Sequence, residues 1–275
     1  MIPTPARSWL FTPGDRPDRF ATARDSGADA MILDWEDAVA PAAKAKARTA
    51  VAAWLNSGIP GPAEWVRIND RGSDFWHDDL TALAAAPAHR LAGVLLPKTQ
   101  SGRDVADTAV HLRGDTAIVA LIETALGVES ATEIARAAGV LALALGSADL
   151  RLDAGLGDDD TAWIYPRSRL VFASRAAGLR APIDGPEMRL DDVDAVRRSA
   201  ARARAFGFGA KLCLHPRQIA AVNEAFGYDD RQRSWAQRVV AAADTSAGAA
   251  VRVDGEMVDR PRLELARRIL ASTAT

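Results

Sequence analysis

The chain has 275 residues, of which 48% are hydrophobic and 25% are charged, and its formal net charge is −2. This is the composition of an ordinary globular protein, and the near-neutral charge gives no field that would recruit nucleic acid or a membrane surface. A single cysteine, Cys213, excludes an internal disulfide bond and favours a reducing compartment. We expect a cytoplasmic protein, since residues 1–7 lack the apolar core of a signal peptide and no stretch reaches the ~20 apolar residues of a membrane span.

Short apolar stretches alternate regularly with amphipathic stretches along most of the chain. The apolar stretches predict eight strands, at residues 8–12, 29–33, 65–68, 93–96, 117–122, 140–145, 179–183 and 210–214. The stretches between them predict helices at residues 15–24, 42–55, 75–85, 103–112, 128–138, 168–177 and 193–206. The Gly- and Asp-rich residues 151–165 predict a loop over the strand ends. This alternation is typical of an α/β fold of the (β/α)8 TIM-barrel type, with a doubly wound open sheet as the alternative.

The regular alternation stops after residue 219. Residues 231–243 and 261–270 predict two further helices, and a turn is expected at Asp254-Gly255 between them. We therefore expect a barrel domain over residues 1–225 and a C-terminal helical arm over residues 226–275. The arm is not needed to close a barrel, so it should pack on the barrel's own face or on a neighbouring subunit.

Two carboxylates follow consecutive buried strands near the middle of the chain. Glu123 comes directly after the fifth strand, and Asp149 lies just beyond the sixth, 26 residues later, which matches one βαβ step. Side chains at the carboxyl ends of barrel strands point into the mouth where ligands bind. A pair of such acids suits a hard divalent cation such as Mg²⁺. Both residues could equally be helix caps or acids of a first helical turn, and the spacing leaves these interpretations open.

An acidic cluster follows the second strand and a charged residue interrupts the third. Asp34, Glu36 and Asp37 would repel one another in a dry pocket without a nearby cation. We favour a role behind the metal, where they orient its bound waters, over a solvated loop that caps the next helix. Arg67 could pair with Asp34 or Glu36, or it could grip a substrate carboxylate with its planar guanidinium. Lys98 after the fourth strand has the same two interpretations.

Other reactive residue types carry little weight. His215 precedes a proline and is expected to be a hydrogen-bonded structural group, and Cys213 lies inside a predicted strand, where a nucleophilic role is not expected. No glycine-rich phosphate loop of the Rossmann or Walker type is present.

With these residues in place, the chain resembles the citrate lyase beta-subunit-like (CitE-like) proteins of the HpcH/HpaI aldolase/citrate lyase family. The resemblance runs from about residue 7 to about residue 270 and is closest to the short, stand-alone members. The matching segments are Arg7-Ser-Trp-Leu-Phe-Thr-Pro-Gly14, Asp34-Trp-Glu-Asp-Ala-Val39, Arg67-Ile-Asn69, Leu96-Pro-Lys98, Leu121-Ile-Glu-Thr-Ala-Leu-Gly127, Gly146-Ser-Ala-Asp149, Gly207-Phe-Gly-Ala-Lys211, His215-Pro-Arg-Gln-Ile219 and Asp254-Gly-Glu-Met-Val-Asp-Arg-Pro261.

The resemblance implies a TIM barrel that assembles as a trimer and holds Mg²⁺ on Glu123 and Asp149. It implies that Arg67 contacts the substrate oxygens, that Gly146 and Ala148 line the substrate site, and that the acidic cluster of residues 34–37 lies behind the metal-bound waters. These roles rest on the resemblance, although the strand-end pattern of Glu123 and Asp149 also suits a metal pair.

The resemblance also implies that the C-terminal segment closes over a neighbour's site, where Asp259 acts as acid or base. From its position alone, Asp259 would be a helix cap before Pro261. The implied reaction is the reversible cleavage of a citramalyl-, malyl- or citryl-CoA type of 3-hydroxyacyl-CoA into a 2-oxo acid and an acyl-CoA. For the CoA phosphates Arg16 is a candidate, whereas Lys44 and Lys46 are better explained as a solvated helix face.

Two alternatives stay open on the sequence alone. One is an aldolase of the same fold that acts on a free 2-oxo acid without CoA. The other is an accessory subunit that binds a partner acyl carrier. In each of these interpretations the ligands are small molecules or a carrier protein, and neither nucleic acid nor a membrane is an expected partner.

Overall fold

The computed structural model describes residues 6–57, 63–85, 90–114, 116–245 and 250–272. Eight parallel strands close into a barrel in which each strand pairs with its neighbour in sequence and the eighth pairs with the first. The strands are β1 (Ser8–Pro13), β2 (Ala30–Asp34), β3 (Ala63–Arg67), β4 (Leu91–Leu96), β5 (Ala117–Ile122), β6 (Val140–Leu145), β7 (Ile183–Asp184) and β8 (Ala210–Cys213). The predicted TIM barrel is therefore confirmed.

Helices surround the barrel and continue beyond it. Those of the described residues are α1 (Phe20–Arg24), α2 (Lys44–Asn56), α3 (Trp76–Ala84), α4 (Gly102–Ala109), α5 (Ala125–Glu129), α6 (Ala131–Arg136), α7 (Ser147–Ala154), α8 (Ile164–Ala176), α9 (Val193–Phe206), α10 (Ile219–Phe226), α11 (Asp230–Thr245) and α12 (Arg260–Ala271). Short 3-10 turns occur at Pro17–Arg19, Pro41–Ala43, Asp160–Trp163 and Pro216–Gln218. No described helix has both the length and the apolar character needed to cross a membrane.

The predicted loop over residues 151–165 is wrong for most of its length. Helix α7 runs through residue 154 and ends at Gly155, whose left-handed φ of 65° stops it. Asp159 then accepts a hydrogen bond from the backbone of Thr161 and starts a 3-10 turn that leads directly into α8. The Gly- and Asp-rich composition therefore marks helix ends, which the sequence alone did not separate from an open loop.

Three other boundaries differ from the predictions. The seventh strand is only two residues long, because Pro182 precedes it and cannot donate to a strand ladder. The predicted helix 128–138 is two short helices, α5 and α6, and the predicted first helix begins as a 3-10 turn at Pro17–Arg19. Helix α10 lies in a stretch for which no helix was predicted.

The barrel interior is a packed core with its largest side chains at β1 and β3. Trp9 and Trp65 contact each other with ring centroids 4.8 Å apart, and the same interior cluster contains alanines from β2, β6 and β8. Gly93 on β4 makes room for this pair, because a Cβ atom there would clash with the ring of Trp65. Because the interior is filled, ligands can enter only at an end of the barrel.

The chain divides into two compact units, one ending at Phe226 and the other beginning at Gly227. The second unit contains α11, α12 and an antiparallel hairpin of β9 (Val251–Val253) and β10 (Glu256–Val258). Asp254 and Gly255 form its turn with φ values of 51° and 85°, as a tight two-residue hairpin requires. This unit has an apolar core of its own, formed by Ala236, Val239, Val253, Val258, Ala266 and Ile269.

Candidate active site at the carboxyl ends of the strands

Glu123 is a buried carboxylate placed directly after β5. It is 1% exposed, and its Oε1 atom accepts a hydrogen bond of 2.7 Å from the backbone N–H of Lys98. Burial raises the pKa of Glu123 well above its usual range, and the carboxylates of Glu36 and Asp149 raise it further. No described residue forms an ion pair with Glu123. A buried acid surrounded by like charges is a place that a cation would stabilise.

Gly146 sets the space in which Glu123 lies. Its backbone N–H extends the β6 pairing by donating to the carbonyl of Ile122. A Cβ atom on residue 146 would lie only 2.5 Å from Cβ of Glu123, so a side chain cannot be present at this position without moving the acid. The glycine therefore permits the strand end and the carboxylate to be adjacent.

Asp149 lies in the first turn of α7, where the helix dipole favours an acid. Its half-buried carboxylate lines the same cleft as Glu123 and makes no hydrogen bond or ion pair with any described residue. Neither acid is a helix cap, because Thr124 caps α5 by accepting from Gly127 and Gly146 occupies the cap position of α7. The capping interpretation is therefore wrong for both acids.

Arg67 binds the acidic cluster that follows β2. Its Nε and Nη2 atoms donate to the two carboxylate oxygens of Asp34 at 2.7 and 2.6 Å, since the two residues are register partners at the ends of β3 and β2. Its Nη1 atom is 3.0 Å from Glu36 and 3.7 Å from Asp37. The predicted pairing with Asp34 and Glu36 is thus present, and Arg67 also lines the cleft.

Glu36 lies between the guanidinium of Arg67 and the ammonium of Lys98. Its Oε1 atom accepts from Lys98 Nζ at 2.5 Å. Burial raises the pKa of Glu36 to about 7 in spite of these two cations. Lys98 therefore forms an ion pair within the protein, which is the structural one of its two predicted interpretations.

Lys44 binds the main chain of the acidic segment, which the sequence did not indicate. Its buried ammonium donates to the carbonyls of Trp35 and Glu36 at 2.8 and 3.0 Å and to Asn69 at 2.6 Å. The prediction of a solvated position is wrong, because residue 44 lies on the buried face of α2 with Ala47 and residues 51 and 55. That helical spacing was the signal that could have revealed it. Lys46 is exposed, as predicted.

The acids face a cleft of about 390 Å³. Glu123, Asp149, Asp34 and Asp37 line one part of it with Arg67. Gly146 and Ala148, which the resemblance implies at the substrate site, are also in its wall. An apolar surface completes the lining, formed by Phe11, Leu121, Leu212, Leu214, Pro186 and Met188.

A larger groove of about 770 Å³ adjoins this cleft and shares Ser147, Ala148, Pro186 and Met188 with it. Four arginines line it, and each is paired with an acid; they are Arg151, Arg167, Arg189 and Arg202. Its charges are therefore balanced. We place the chemistry in the smaller cleft, because that cleft holds the unpaired carboxylates.

Three further residues singled out in the sequence make other contacts. Arg16 is exposed and paired with Asp18 at 2.7 Å; Arg19, one turn later, lines the cleft instead. His215 accepts a hydrogen bond from the backbone of Arg217, the structural role expected for it. Asp259 belongs to the second unit, where its carboxylate caps α12 by accepting from the backbone of residue 262.

The donor set fits a magnesium ion. Among the described residues, no three His, Cys, Asp or Glu side chains converge as a ready-made metal site. Two carboxylates, Glu123 and Asp149, are available at the cleft, and Mg²⁺ is commonly bound by one or two carboxylates with water and substrate oxygens completing its shell. The other acids of the site form ion pairs with Arg67 and Lys98.

The fold and the site define a TIM-barrel enzyme with an acidic centre, and sequence comparison gives its family. A model of the HpcH/HpaI aldolase/citrate lyase family matches residues 7–216, and the chain belongs to this family. A citrate lyase subunit beta-like protein of Deinococcus radiodurans is 34% identical over 287 aligned positions, which cover 99% of each chain. An L-malyl-CoA/beta-methylmalyl-CoA lyase of Cereibacter sphaeroides is 31% identical, with 94% of this chain and 90% of the relative covered.

Structural comparison gives the same result. The crystal structure of CitE from Mycobacterium tuberculosis in complex with magnesium, acetoacetate and coenzyme A matches with a TM-score of 0.84. The two sequences are 34% identical, and the match covers 98% of both chains. The resemblance seen in the sequence is thus confirmed, and the protein is a lyase.

Proposed function

We propose that the protein is a Mg²⁺-dependent lyase that cleaves a carbon–carbon bond of a 3-hydroxyacyl-CoA thioester of the citramalyl-, malyl- or citryl-CoA type. The products are a 2-oxo acid and an acyl-CoA, and the reaction is reversible. The observation that carries the proposal is the buried Glu123, which lies beside other carboxylates without a cationic partner at the mouth of the barrel. The relatives that act on or bind CoA compounds supply the substrate class.

In this proposal Glu123 and Asp149 hold the metal ion. When bound, Mg²⁺ supplies a Lewis acid that polarises the oxygens of the 2-oxo acid portion. Gly146 leaves room for the Glu123 side chain, and the Lys98 amide donates a hydrogen bond to one oxygen of the Glu123 carboxylate. Asp149 keeps both carboxylate oxygens free of protein hydrogen bonds from the described residues, so it can serve as a ligand without breaking a contact.

Arg67 stabilises negative charge on the substrate. Asp34 occupies its Nε and Nη2 atoms, whereas Nη1 makes ion pairs but no hydrogen bond with a described residue. We propose that the Nη1 donors face the carbonyl oxygen of the forming 2-oxo acid, where a fixed guanidinium lowers the barrier. The Asp34 pair fixes the orientation of this donor. The main chain of Gly146 and the side chain of Ala148 line the substrate position.

The proton steps need a group that neither the metal pair nor Arg67 supplies. Loss of the substrate hydroxyl proton and breakage of the carbon–carbon bond leave the enolate of an acyl-CoA. We propose that the carboxylate of Asp259 of a neighbouring subunit takes up this hydroxyl proton and returns it to the enolate carbon, and that in the condensation direction it removes the proton from that carbon. This requires an oligomer, which we propose is a homotrimer, in which the arm of residues 226–275 packs on the next barrel. Arg16 is our candidate for the CoA phosphates.

A substrate panel tests the function directly. Purified protein with Mg²⁺ is given citramalyl-, malyl- and citryl-CoA and, separately, free 4-hydroxy-2-oxo acids, and the release of 2-oxo acid and acyl-CoA is followed. We expect equal amounts of both products from at least one thioester, and loss of activity after chelation. Release of free CoA, cleavage of only the CoA-free compounds, or full activity in chelator would overturn the proposal. So would activity that appears only with an acyl-carrier partner.

Mixing inactive subunits tests the role of Asp259. Variants Glu123→Gln and Asp259→Asn are each expected to be inactive alone. If the aspartate acts on a neighbour in a cyclic trimer, random mixing at equal amounts after mild dissociation should restore about one quarter of the wild-type turnover, because one site in four then has both groups. No recovery in verified mixed oligomers would contradict action across subunits, and an active Asp259→Asn variant would contradict the proton role.

A further inference from the structure

Lys98 has an unusual backbone for a lysine. Its φ angle is 48°, and among the described non-glycine residues only Asp254, in the hairpin turn, shares this left-handed conformation. A side chain with a Cβ atom rarely adopts this region unless the surroundings enforce it. Contacts of the neighbouring residues must therefore hold Lys98 in this conformation beside the buried Glu123.

The turn that contains Lys98 is fixed on its far side. The Thr99 side chain donates to the carbonyl of Leu96 at 2.7 Å, and the Thr99 backbone N–H donates to the carbonyl of Leu121 at 3.2 Å. The turn is thereby tied to its own strand β4 and to the neighbouring strand β5. With the chain held in this way, the N–H of Lys98 is directed at Glu123.

The side chain of Lys98 reaches the other side of the site. Its ammonium donates to Glu36 at 2.5 Å, and Glu36 follows β2, which is separated from β4 by β3 in the barrel order. One residue thus holds two carboxylates that belong to different strand ends, Glu123 through its backbone and Glu36 through its side chain. In this arrangement the ammonium is paired with Glu36.

We propose that Lys98 is a positioning residue of the magnesium site with two separable parts. Its left-handed backbone presents the amide that fixes the metal ligand Glu123, and its ammonium fixes Glu36 behind that ligand. This inference rests on the proposed role of Glu123 as a metal ligand. It does not depend on which substrate is cleaved, because its first test is binding of Mg²⁺ to the protein alone.

Three substitutions separate the two parts. Glycine adopts a positive φ without steric cost, so Lys98→Gly keeps the amide in place and removes only the ammonium. Lys98→Ala also removes the ammonium but keeps the Cβ atom, which disfavours the left-handed conformation. Without the Glu36 contact, the Thr99 hydrogen bonds are left to oppose a shift of the backbone to a negative φ that would withdraw the amide. Lys98→Arg retains a cation for Glu36. The pair Asp254→Gly and Asp254→Ala is the matched control, since it makes the same changes at a left-handed residue of the hairpin.

We expect Mg²⁺ affinity, measured by calorimetric titration, to stay within about threefold of wild type in Lys98→Gly and Lys98→Arg and to fall about tenfold in Lys98→Ala. Because alanine destabilises a left-handed position more than glycine does, the Asp254 pair shows what a loss of stability of this kind does by itself to Mg²⁺ affinity. Both Asp254 variants should bind Mg²⁺ as wild type does. Equal Mg²⁺ affinity in Lys98→Gly and Lys98→Ala would overturn the backbone part of the proposal.

Turnover with the best substrate of the panel tests the ammonium part. We expect kcat to fall about tenfold in Lys98→Gly with KM little changed, and Lys98→Arg to restore most of it. A wild-type kcat in Lys98→Gly would overturn this part. If wild type binds Mg²⁺ but cleaves no substrate, the proposed reaction is wrong. The Mg²⁺ affinities of Lys98→Gly and Lys98→Ala still test the backbone part. If wild type does not bind Mg²⁺, both proposals fall.

Discussion

Two buried carboxylates at strand ends of this barrel have opposite electrostatic surroundings. Asp184 ends β7 and is fully buried, and it accepts from Lys211 Nζ at 2.6 Å and from Arg167 Nε at 3.1 Å. Burial alone would raise the pKa of Asp184, but these two cations outweigh it and lower the pKa. Glu123 is buried to the same degree but has only the Lys98 amide, and its pKa is raised.

The difference shows that burial of an acid does not by itself identify a functional site. Asp184 is neutralised by partners from β8 and α8, and Lys211 also donates to the carbonyl of Gly185 at 2.6 Å, so this group braces the β7 end. Glu123 is left without such a partner, next to Asp149 and Glu36. An acid whose charge the fold balances serves stability, whereas an acid that the fold leaves without a cationic partner is available to a cation from outside.

The largest loss of stability is expected when the ion pairs of Asp184 with Lys211 and Arg167 are broken. Asp184→Asn leaves the buried ammonium of Lys211 without its counter-charge, and we expect a loss of about 3–5 kcal/mol in the free energy of unfolding. Denaturant unfolding with and without the substitution measures it. The control Asp78→Asn breaks an exposed pair with Arg48 and should cost less than about 1 kcal/mol. A loss no greater than the control's would mean that Asp184 does not brace the fold.

The same type of substitution at Glu123 should spare stability and remove function. Glu123→Gln relieves the repulsion from neighbouring carboxylates, so we expect the metal-free protein to unfold at the same or a higher temperature. Turnover should fall at least ~10²-fold, by analogy with the loss of one stabilising group in other active sites. The exposed Glu224 on α10 provides the control, because Glu224→Gln should leave both quantities unchanged. Near-normal turnover with retained Mg²⁺ dependence would remove Glu123 from the site.

The sequence was informative where the signal is local. One unbroken apolar run directly before Glu123 and another shortly before Asp149 placed both acids near strand ends, and eight apolar runs that alternate with amphipathic stretches predicted the barrel. It was uninformative where tertiary contacts decide. That Arg67 would bind Asp34 on both oxygens depends on the pairing of β3 with β2. The left-handed backbone of Lys98 depends on the hydrogen bonds of the next residue, which no pattern of residue types reveals.

A smaller effect is expected from the space that separates Glu123 from the β6 end. Gly146→Ala would bring a Cβ atom against the Glu123 side chain, and overpacking of this kind costs about 1–3 kcal/mol. We expect Mg²⁺ affinity to fall because the carboxylate must move. Gly157→Ala is the matched control, since a Cβ atom there meets nothing within 4 Å. Unaltered Mg²⁺ binding in Gly146→Ala would show that the carboxylate has room to shift without losing its function.

The smallest effect on the free energy of unfolding is expected from a change of pH, and it comes from Asp184. The pKa of Asp184 is lower in the folded protein than in the unfolded chain, where it is about 3.9. Its contribution to stability is therefore fully present above about pH 4 and is lost as the pH falls through the lower, folded value. We expect the stability gap between wild type and Asp184→Asn, measured by denaturant unfolding, to be constant from pH 6 to pH 5 and to narrow below about pH 4. A gap that stays constant down to pH 2 would mean that packing, and not the charge on Asp184, stabilises the β7 end.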